Sequence, residues 1–200
     1  MSKKYVLAIL GSPHSDGTVG TMLNHAASEA KKAGYEVIKI NLYEKNIAFC
    51  QGCRVCLKTE TCVQKDDIQE MVSFFRKCQV VILGAPVYWA NVPAPVKNLF
   101  DRLLGTVMEE TATFPKPRMR GKKYMLLTAC QTPAPFSWIF GQSRGAIRNM
   151  EEFFKIAGMR SMGKIVCADT RRRNEIPDYI FRKIGRCWKK SSYDPWYLDK

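Results

Sequence analysis

Short, wholly apolar runs alternate along the chain with stretches in which apolar residues recur every three or four positions. Val6-Leu-Ala-Ile-Leu10 is apolar throughout and stops at Gly11, the pattern of a strand covered on both faces. Val19, Met22, Leu23, Ala26, Ala27 and Ala30 follow at helical spacing, and Gly34 closes that helix. The alternation then repeats. Strands are predicted at residues 36–42, 80–83, 124–129 and 164–168. Between them lie helices on Ile68, Met71, Val72 and Phe75, on Val96, Leu99, Phe100 and Leu103, and on Ile147, Met150, Phe154 and Ala157. Pro177 opens a last helix carrying Ile180, Ile184 and Trp188. Five such alternations predict an α/β fold, a doubly wound five-stranded parallel sheet with helices on both faces. Ligands of such sheets sit beyond the carboxyl ends of the strands, where the strand order reverses, so the loops after Leu10, Leu83 and Ala129 should carry the chemistry.

The first of these, Gly11-Ser-Pro-His-Ser-Asp-Gly-Thr18, joins a buried strand to a helix start, where unpaired N–H groups and the positive dipole end favour a phosphate. Ser12 and Thr18 add hydroxyls and His14 a donor. The loop matches neither G-x-G-x-x-G nor G-x-x-x-x-G-K-[ST], and a plain turn with Thr18 as N-cap is the competing reading. The second loop, Ala85-Pro-Val-Tyr-Trp-Ala-Asn-Val-Pro, sets two aromatics and an amide past the sheet edge, placed either to pack on a planar ring or simply to cover the sheet end.

A third loop, of about twenty residues, separates the second strand from the second helix, and structureless loops of that length are usually functional. It holds Cys50-Gln-Gly-Cys53-Arg-Val-Cys56-Leu-Lys-Thr-Glu-Thr-Cys62. Three thiolates at two-residue gaps can wrap one iron–sulfur cubane, and a fourth can close it. Zinc favours two separated knuckles, and an empty, disulfide-prone loop is the remaining alternative. Cys78, Cys130, Cys167 and Cys187 are scattered and expected in the core. With only His14 and His25 in the chain, a multi-histidine metal site is excluded. The pair Asp66-Asp67 reads as capping the next helix rather than as catalytic carboxylates.

Charge adds a second layer. Lys and Arg number 32 against 18 Asp and Glu, a net +14, and the excess is uneven: 13 basic against 11 acidic in residues 1–115, but 19 against 7 in residues 116–200. Arg171-Arg-Arg173, Arg182, Lys183, Arg186, Lys189 and Lys190 interleave with Tyr179, Phe181, Trp188, Tyr193 and Trp196. Such a segment is expected as a solvated helix and tail packed by its aromatics onto the domain or a twin subunit. A single-stranded nucleic-acid groove is the reading from another class, and no recognised nucleic-acid motif supports it. An acidic protein or another anionic partner would also be drawn to this face. The longest apolar run, six residues from Tyr5, is too short to span a bilayer, and the start Met1-Ser-Lys-Lys lacks a signal-peptide apolar region, so a soluble, cytoplasmic chain is expected.

Gly11-Ser-Pro…Gly17-Thr18, Asp66-Asp67-Ile68, Ala85-Pro-Val-Tyr88 and Pro95-Val-Lys-Asn-Leu-Phe-Asp-Arg102, in that order, resemble the NAD(P)H-dependent FMN reductases of the flavodoxin-like superfold, and the cysteines resemble those of the iron–sulfur flavoproteins. The likeness covers residues 5 to about 168. It implies strand order 2-1-3-4-5 and an oxidoreductase passing electrons between NAD(P)H or a reduced protein and an acceptor. It implies FMN with its phosphate on Ser12, His14, Gly17, Thr18 and Val19, and its ring against Pro86, Val87, Tyr88, Trp89 and Asn91. Thr128, Ala129 and Cys130 would supply the last loop, and Cys50, Cys53, Cys56 and Cys62 would hold a [4Fe–4S] cluster. Cluster-free relatives act as FMN, quinone or nitro reductases. The resemblance also implies a homodimer or homotetramer, and with it an acidic electron donor such as a ferredoxin, or the 2′-phosphate of NADPH, as what would be drawn to the basic face. The chain departs from its relatives in carrying His14 for Arg or Lys and Thr18-Val19 for Asn-Thr, which removes a cation and a hydroxyl from the phosphate loop. The expected organisation is a flavin unit over residues 1–170, with the cysteine-rich insertion at 47–66, followed by a basic-aromatic segment over 171–200.

Overall fold

The computed structural model describes residues 3–173 and 175–191. Strand β1 (Tyr5–Leu10) leads through α1 (Thr18–Lys32) to β2 (Glu36–Asn41) and a 3-10 turn (Leu42–Glu44). Helices α2 (Cys56–Thr59) and α3 (Ile68–Lys77) precede β3 (Val80–Pro86). Next come α4 (Ala94–Arg102), α5 (Leu104–Val107), the two-residue strands β4 (Met108–Glu109) and β5 (Lys116–Pro117), and then β6 (Lys123–Ala129). Helices α6 (Phe136–Ile139) and α7 (Gln142–Ile156), strand β7 (Arg160–Cys167) and helix α8 (Asp178–Ser191) complete the series. The sheet runs β2-β1-β3-β6-β7, all parallel, which is the expected 2-1-3-4-5 order.

Alternation along each central strand explains why the runs are apolar throughout. Leu7 and Ile9 of β1 pack into a core with Met71 and Phe75 of α3, Val96 and Leu99 of α4 and Met150 and Phe154 of α7. Val6, Ala8 and Leu10, pointing the other way, join Met22, Leu23 and Ala26 of α1 and Ile180, Ile184 and Trp188 of α8. Strand β7 begins four residues before its predicted start. It is an edge strand, and its exposed Arg160, Ser161 and Lys164 hide it from a search for apolar runs. Gly163 stands where a Cβ would collide with Cys187 Sγ, so the missing side chain lets α8 lie close on β7.

The basic last helix is thus built into the sheet's second core. Phe181 packs on the His25 ring at 4.9 Å and Trp188 on Tyr35 at 5.6 Å between centroids, while Arg182, Lys183, Arg186 and Lys189 face solvent. Two of the aromatics that could have formed a base-stacking platform are therefore spent on internal packing. Tyr193, Trp196 and the Lys190 side chain lie outside the described residues. Among the described residues no helix is long and apolar enough to cross a membrane.

One half-buried cation ties α3 to the sheet. Lys122, just before β6, donates through Nζ to the carbonyls of Phe75, Arg76 and Cys78 at 2.8, 2.7 and 2.6 Å. It satisfies the carbonyls that the end of α3 leaves unpaired and sits at the negative end of that helix dipole. Burial pushes the neighbouring Cys78 thiol up to about 11, so this cysteine is a packing residue. Replacement of Lys122 by Met is expected to lower stability by about 2 kcal/mol. Urea denaturation should show a lower midpoint with an unchanged slope; an unchanged midpoint would remove Lys122 from this role.

Candidate functional site

A cleft of about 450 Å³ opens at the carboxyl ends of β1, β3 and β6. From the first loop, Ser12, His14, Gly17, Thr18 and Val19 line it. Ser12 is buried and shapes the turn, its Oγ accepting from His14 N at 3.2 Å. The residue preceding α1 is Gly17, in extended conformation and without a side chain to cap the helix, so Thr18 is the first helical residue rather than the N-cap. The first turn has no side-chain cap and no acidic side chain, and its Thr18 and Val19 line the cleft. Gly20 is required here because a Cβ would collide with the Ser15 carbonyl, where the loop folds back over the helix.

Pro86, Val87, Tyr88 and Trp89 form the opposite wall. Val87 N donates to Ala129 O at 3.0 Å, which joins this loop to the end of β6. Tyr88 and Asn91 exchange backbone hydrogen bonds of 2.9 Å each, closing a two-residue turn with Trp89 and Ala90 at φ 51° and 58°. Left-handed conformation at two consecutive non-glycine residues costs on the order of 1–2 kcal/mol each. The turn holds the Trp89 side chain fully in solvent at the cleft rim. Gly145 of α7 accommodates it, since a Cβ there would strike the Ala90 carbonyl.

Three expected lining residues are directed elsewhere. Asn91 Oδ1 accepts from Val92 N at 2.8 Å, a local bond that shapes the turn. Thr128 is fully buried, its hydroxyl donating to Ala85 O at 2.7 Å, and Cys130 is buried beside Cys167, whose carbonyl accepts from Cys130 N at 2.9 Å. A strand end presents alternate residues to one side, so Ala129 and Gln131 line the cleft while Thr128 and Cys130 do not. Thr170, arriving from beyond β7 with its N–H on Cys130 O, completes the lining. Gln131 and Thr170 carry no signal in the sequence. The period of two applied to the end of β6 could have singled out Gln131, but Thr170 depends on the loop after β7 crossing back.

The cysteine segment lies against the far end of α4. Cys50 and Cys53 are exposed, Cys56 and Cys62 half-buried, and all eight cysteines are unbridged. Among the described residues no three His, Cys, Asp or Glu side chains gather into a metal-holding group. The donor set itself fits a cubane in type and number, and the backbone already turns through left-handed conformations at Gly52, Arg54 and Glu60. Gly105 lets the segment seat: a Cβ there would collide with the Cys56 carbonyl.

What fastens this segment is a buried polar stripe on α4. Asn98 Nδ2 donates to Ile47 O at 2.8 Å. Arg102, 1% exposed, donates to both carboxylate oxygens of Asp66 at 2.9 and 3.0 Å, to the Ala48 carbonyl, and through Nε to Cys62 Sγ at 3.3 Å. Asp66 in turn accepts from Ile68 N and Ala48 N, each at 3.0 Å. Asp67, expected to cap α3, makes no side-chain cap and accepts from Asn46 N at 2.7 Å instead. The acidic pair thus closes both ends of the insertion, and capping falls to Asp66 alone. Asn98 and Arg102 are four apart on a helix whose apolar residues are Val96, Leu99 and Phe100, and two polar side chains buried at that spacing are the sequence signal for a partner loop.

A doubly wound parallel sheet with an aromatic-walled cleft at its switch point is the arrangement in which this class of α/β protein holds its ligands. Residues 4–185 match the sequence profile of a family described as having a flavodoxin-like fold, and the chain belongs to that family. Its sequence relatives include an iron–sulfur flavoprotein of Methanocaldococcus jannaschii, 32% identical over 163 residues that cover 79% of this chain and 74% of the relative. An iron–sulfur flavoprotein of Archaeoglobus fulgidus is 41% identical over 98 residues, 49% of this chain and 44% of the relative. The chain spans about half the length of several such relatives. Among solved structures, an FMN-dependent NADH-azoreductase of Bacillus anthracis in complex with FMN superposes with TM-score 0.70 at 11% identity, covering 96% of this chain and 99% of that one. An NAD(P)H:quinone oxidoreductase of Methanothermobacter marburgensis gives 0.71 at 13%, covering 94% and 97%. At these identities the likeness is one of fold.

The Asp66 carboxyl offers a check on the fastening. Burial pushes it up, but hydrogen bonds from Arg102 and then from the Ile68 and Ala48 amides outweigh burial and hold it below the usual carboxylate range. A carboxyl depressed in the folded state contributes stability above its unfolded value of about 3.9 and loses it as pH falls through the lower folded value. Denaturation midpoints followed from about pH 7 to about pH 3 should fall along an acid limb that is shallower in Asp66→Asn. Superimposable limbs would place the acid sensitivity elsewhere.

Proposed function

We propose that the chain is an FMN-dependent oxidoreductase that moves electrons between NAD(P)H or a reduced protein donor and an acceptor, with a [4Fe–4S] cluster on Cys50, Cys53, Cys56 and Cys62 as its second redox centre. The observation that carries the flavin assignment is the cleft, which brings together two chemically distinct halves. Ser12, His14, Thr18 and the uncapped start of α1 offer hydroxyls, a ring donor and N–H groups to a phosphate. Pro86, Val87, Tyr88 and Trp89 offer flat apolar surface to a tricyclic ring. When bound, the flavin supplies the hydride and single-electron chemistry, so the chain needs no general acid or base of its own. Ser12, His14 and Thr18 would hold the phosphate, and Pro86, Val87 and Tyr88 would hold the ring, with the solvent-exposed Trp89 at the rim.

The cluster assignment is supported by the four-cysteine spacing and by the iron–sulfur flavoproteins among the relatives. Helix α4 runs from the cleft loop to the cysteine segment, and its nine residues span about 13 Å. The cluster-free reading, an NAD(P)H-dependent flavin or quinone reductase, shares the cleft and differs only in the cysteine loop. The exposed cations on α8 would draw an acidic partner protein.

Two measurements test this. Protein stripped of ligand should bind one FMN per chain, and at least about tenfold more tightly than riboflavin, because only FMN reaches the helix terminus with a charged phosphate. Equal affinity for the two would overturn the phosphate assignment. After anaerobic reconstitution, about four iron and four sulfide per chain are expected, with the iron lost in Cys53→Ser. An iron-free protein that still reduces flavin with NAD(P)H would establish the cluster-free reading.

A further inference from the structure

Arg102 is among the largest fully buried side chains of the described structure, and each edge of its guanidinium is committed. Both terminal nitrogens face Asp66, one of them also reaching the Ala48 carbonyl, and together these bonds tie the insertion to α4. The Nε–H serves a different end. It is the single donor on that nitrogen, and it is directed at Cys62 Sγ at 3.3 Å. Of the four clustered cysteines, Cys62 alone receives a guanidinium hydrogen bond among the described contacts. It is also the one that follows the five-residue gap, and the Gln69 side chain of α3 donates to its carbonyl at 2.7 Å.

We propose that Arg102 is a positioning residue for the second redox centre, holding Cys62 Sγ as its ligand from the buried side and raising the reduction potential of the cluster bound there. This rests on the cluster assignment made above. A thiolate that accepts an N–H bond from a cation gives up electron density, which favours the reduced, more negative state of the cluster. The effect is enlarged by burial, where charge is poorly screened, and moderated by Asp66, whose carboxylate offsets part of the guanidinium charge. The two side chains therefore act on the potential with opposite sign. Arginine is specific for this arrangement because its planar fork serves carboxylate, carbonyl and sulfur at once, which an ammonium group cannot do.

The reconstituted full chain is titrated with dithionite and mediators, and the cluster's electron paramagnetic resonance is followed. Arg102→Lys keeps the cation but loses the Nε donor, and its reduction equilibrium should fall about tenfold, equivalent to about 59 mV for a one-electron couple. Asp66→Asn keeps the donor and removes the offsetting charge, and its midpoint should rise. A purely structural role would loosen the loop in both variants and move both midpoints in the same direction. Since either variant can fail to fold, the unmodified protein supplies a second readout. Pulsed resonance of chain grown with arginine labelled with ¹⁵N at Nε should show nitrogen coupling to the reduced cluster. Opposite shifts together with that coupling support the role. Shifts of one sign, no shift, or a loaded cluster without the coupling overturn it while leaving the cluster assignment intact. A wild-type chain that takes up no iron overturns the cluster assignment and this inference with it.

Discussion

The pairing of Arg102 with Asp66 sets the relation between the sheet and its long insertion. A guanidinium taken out of water is tolerated only when its charge and its donors are met, and here they are met entirely by the insertion and its hinge: Asp66, the Ala48 carbonyl and Cys62 Sγ. Removing one partner would leave the other buried and uncompensated, so the pair acts as a specificity device for one loop placement. The backbone amides of Ala48 and Ile68 on the same carboxylate extend that control to both ends of the insertion. Arg76 beside the exposed Glu60 adds only a well-hydrated attraction, while the mostly covered Arg118 reaches Glu60 and also donates to the Gly105 carbonyl at 2.6 Å.

The sheet supplies the rigid frame for this and for the cleft. Because its central strands are buried on both faces, the positions where β1, β3 and β6 end are fixed by two cores at once, and the loops leaving them inherit that precision. Glycines mark the places where backbone must approach backbone: Gly20 under the first loop, Gly105 under Cys56 and Gly145 under Ala90. The strained turn at Trp89 and Ala90 is tolerated on such a frame, and it keeps an indole exposed at the rim of the cleft.

Much of the candidate site could be read before the structure because its chemistry is local. The first loop lies within eight consecutive residues, the ring wall within four, and the thiols within thirteen. The departures share one physical origin, which is that a residue's direction is set by its neighbours in space. Thr128 and Cys130 flank Ala129 in the chain, but a strand cannot point three consecutive side chains one way. Asp67 stands where a cap is expected, but its carboxylate is claimed by an amide twenty-one residues away. Arg102 stood in the family-like motif with no role, because its partners come from residues 48, 62 and 66.

Apolar periodicity by itself determined where the central strands and the long helices fall, that the sheet is parallel and the edge at which a ligand is expected, since burying both faces of a central strand leaves a clear run of apolar residues, while the edge strands and the short elements left no such run. The spacing of the cysteines placed four thiols on one insertion and left their occupancy open. Only the tertiary structure decided which side chains share the cleft, that α8 closes the second core with its aromatics turned inward, and that one buried arginine joins the sheet to the cysteines. Those outcomes depend on burial and charge compensation between residues far apart in the chain, which a linear pattern does not record.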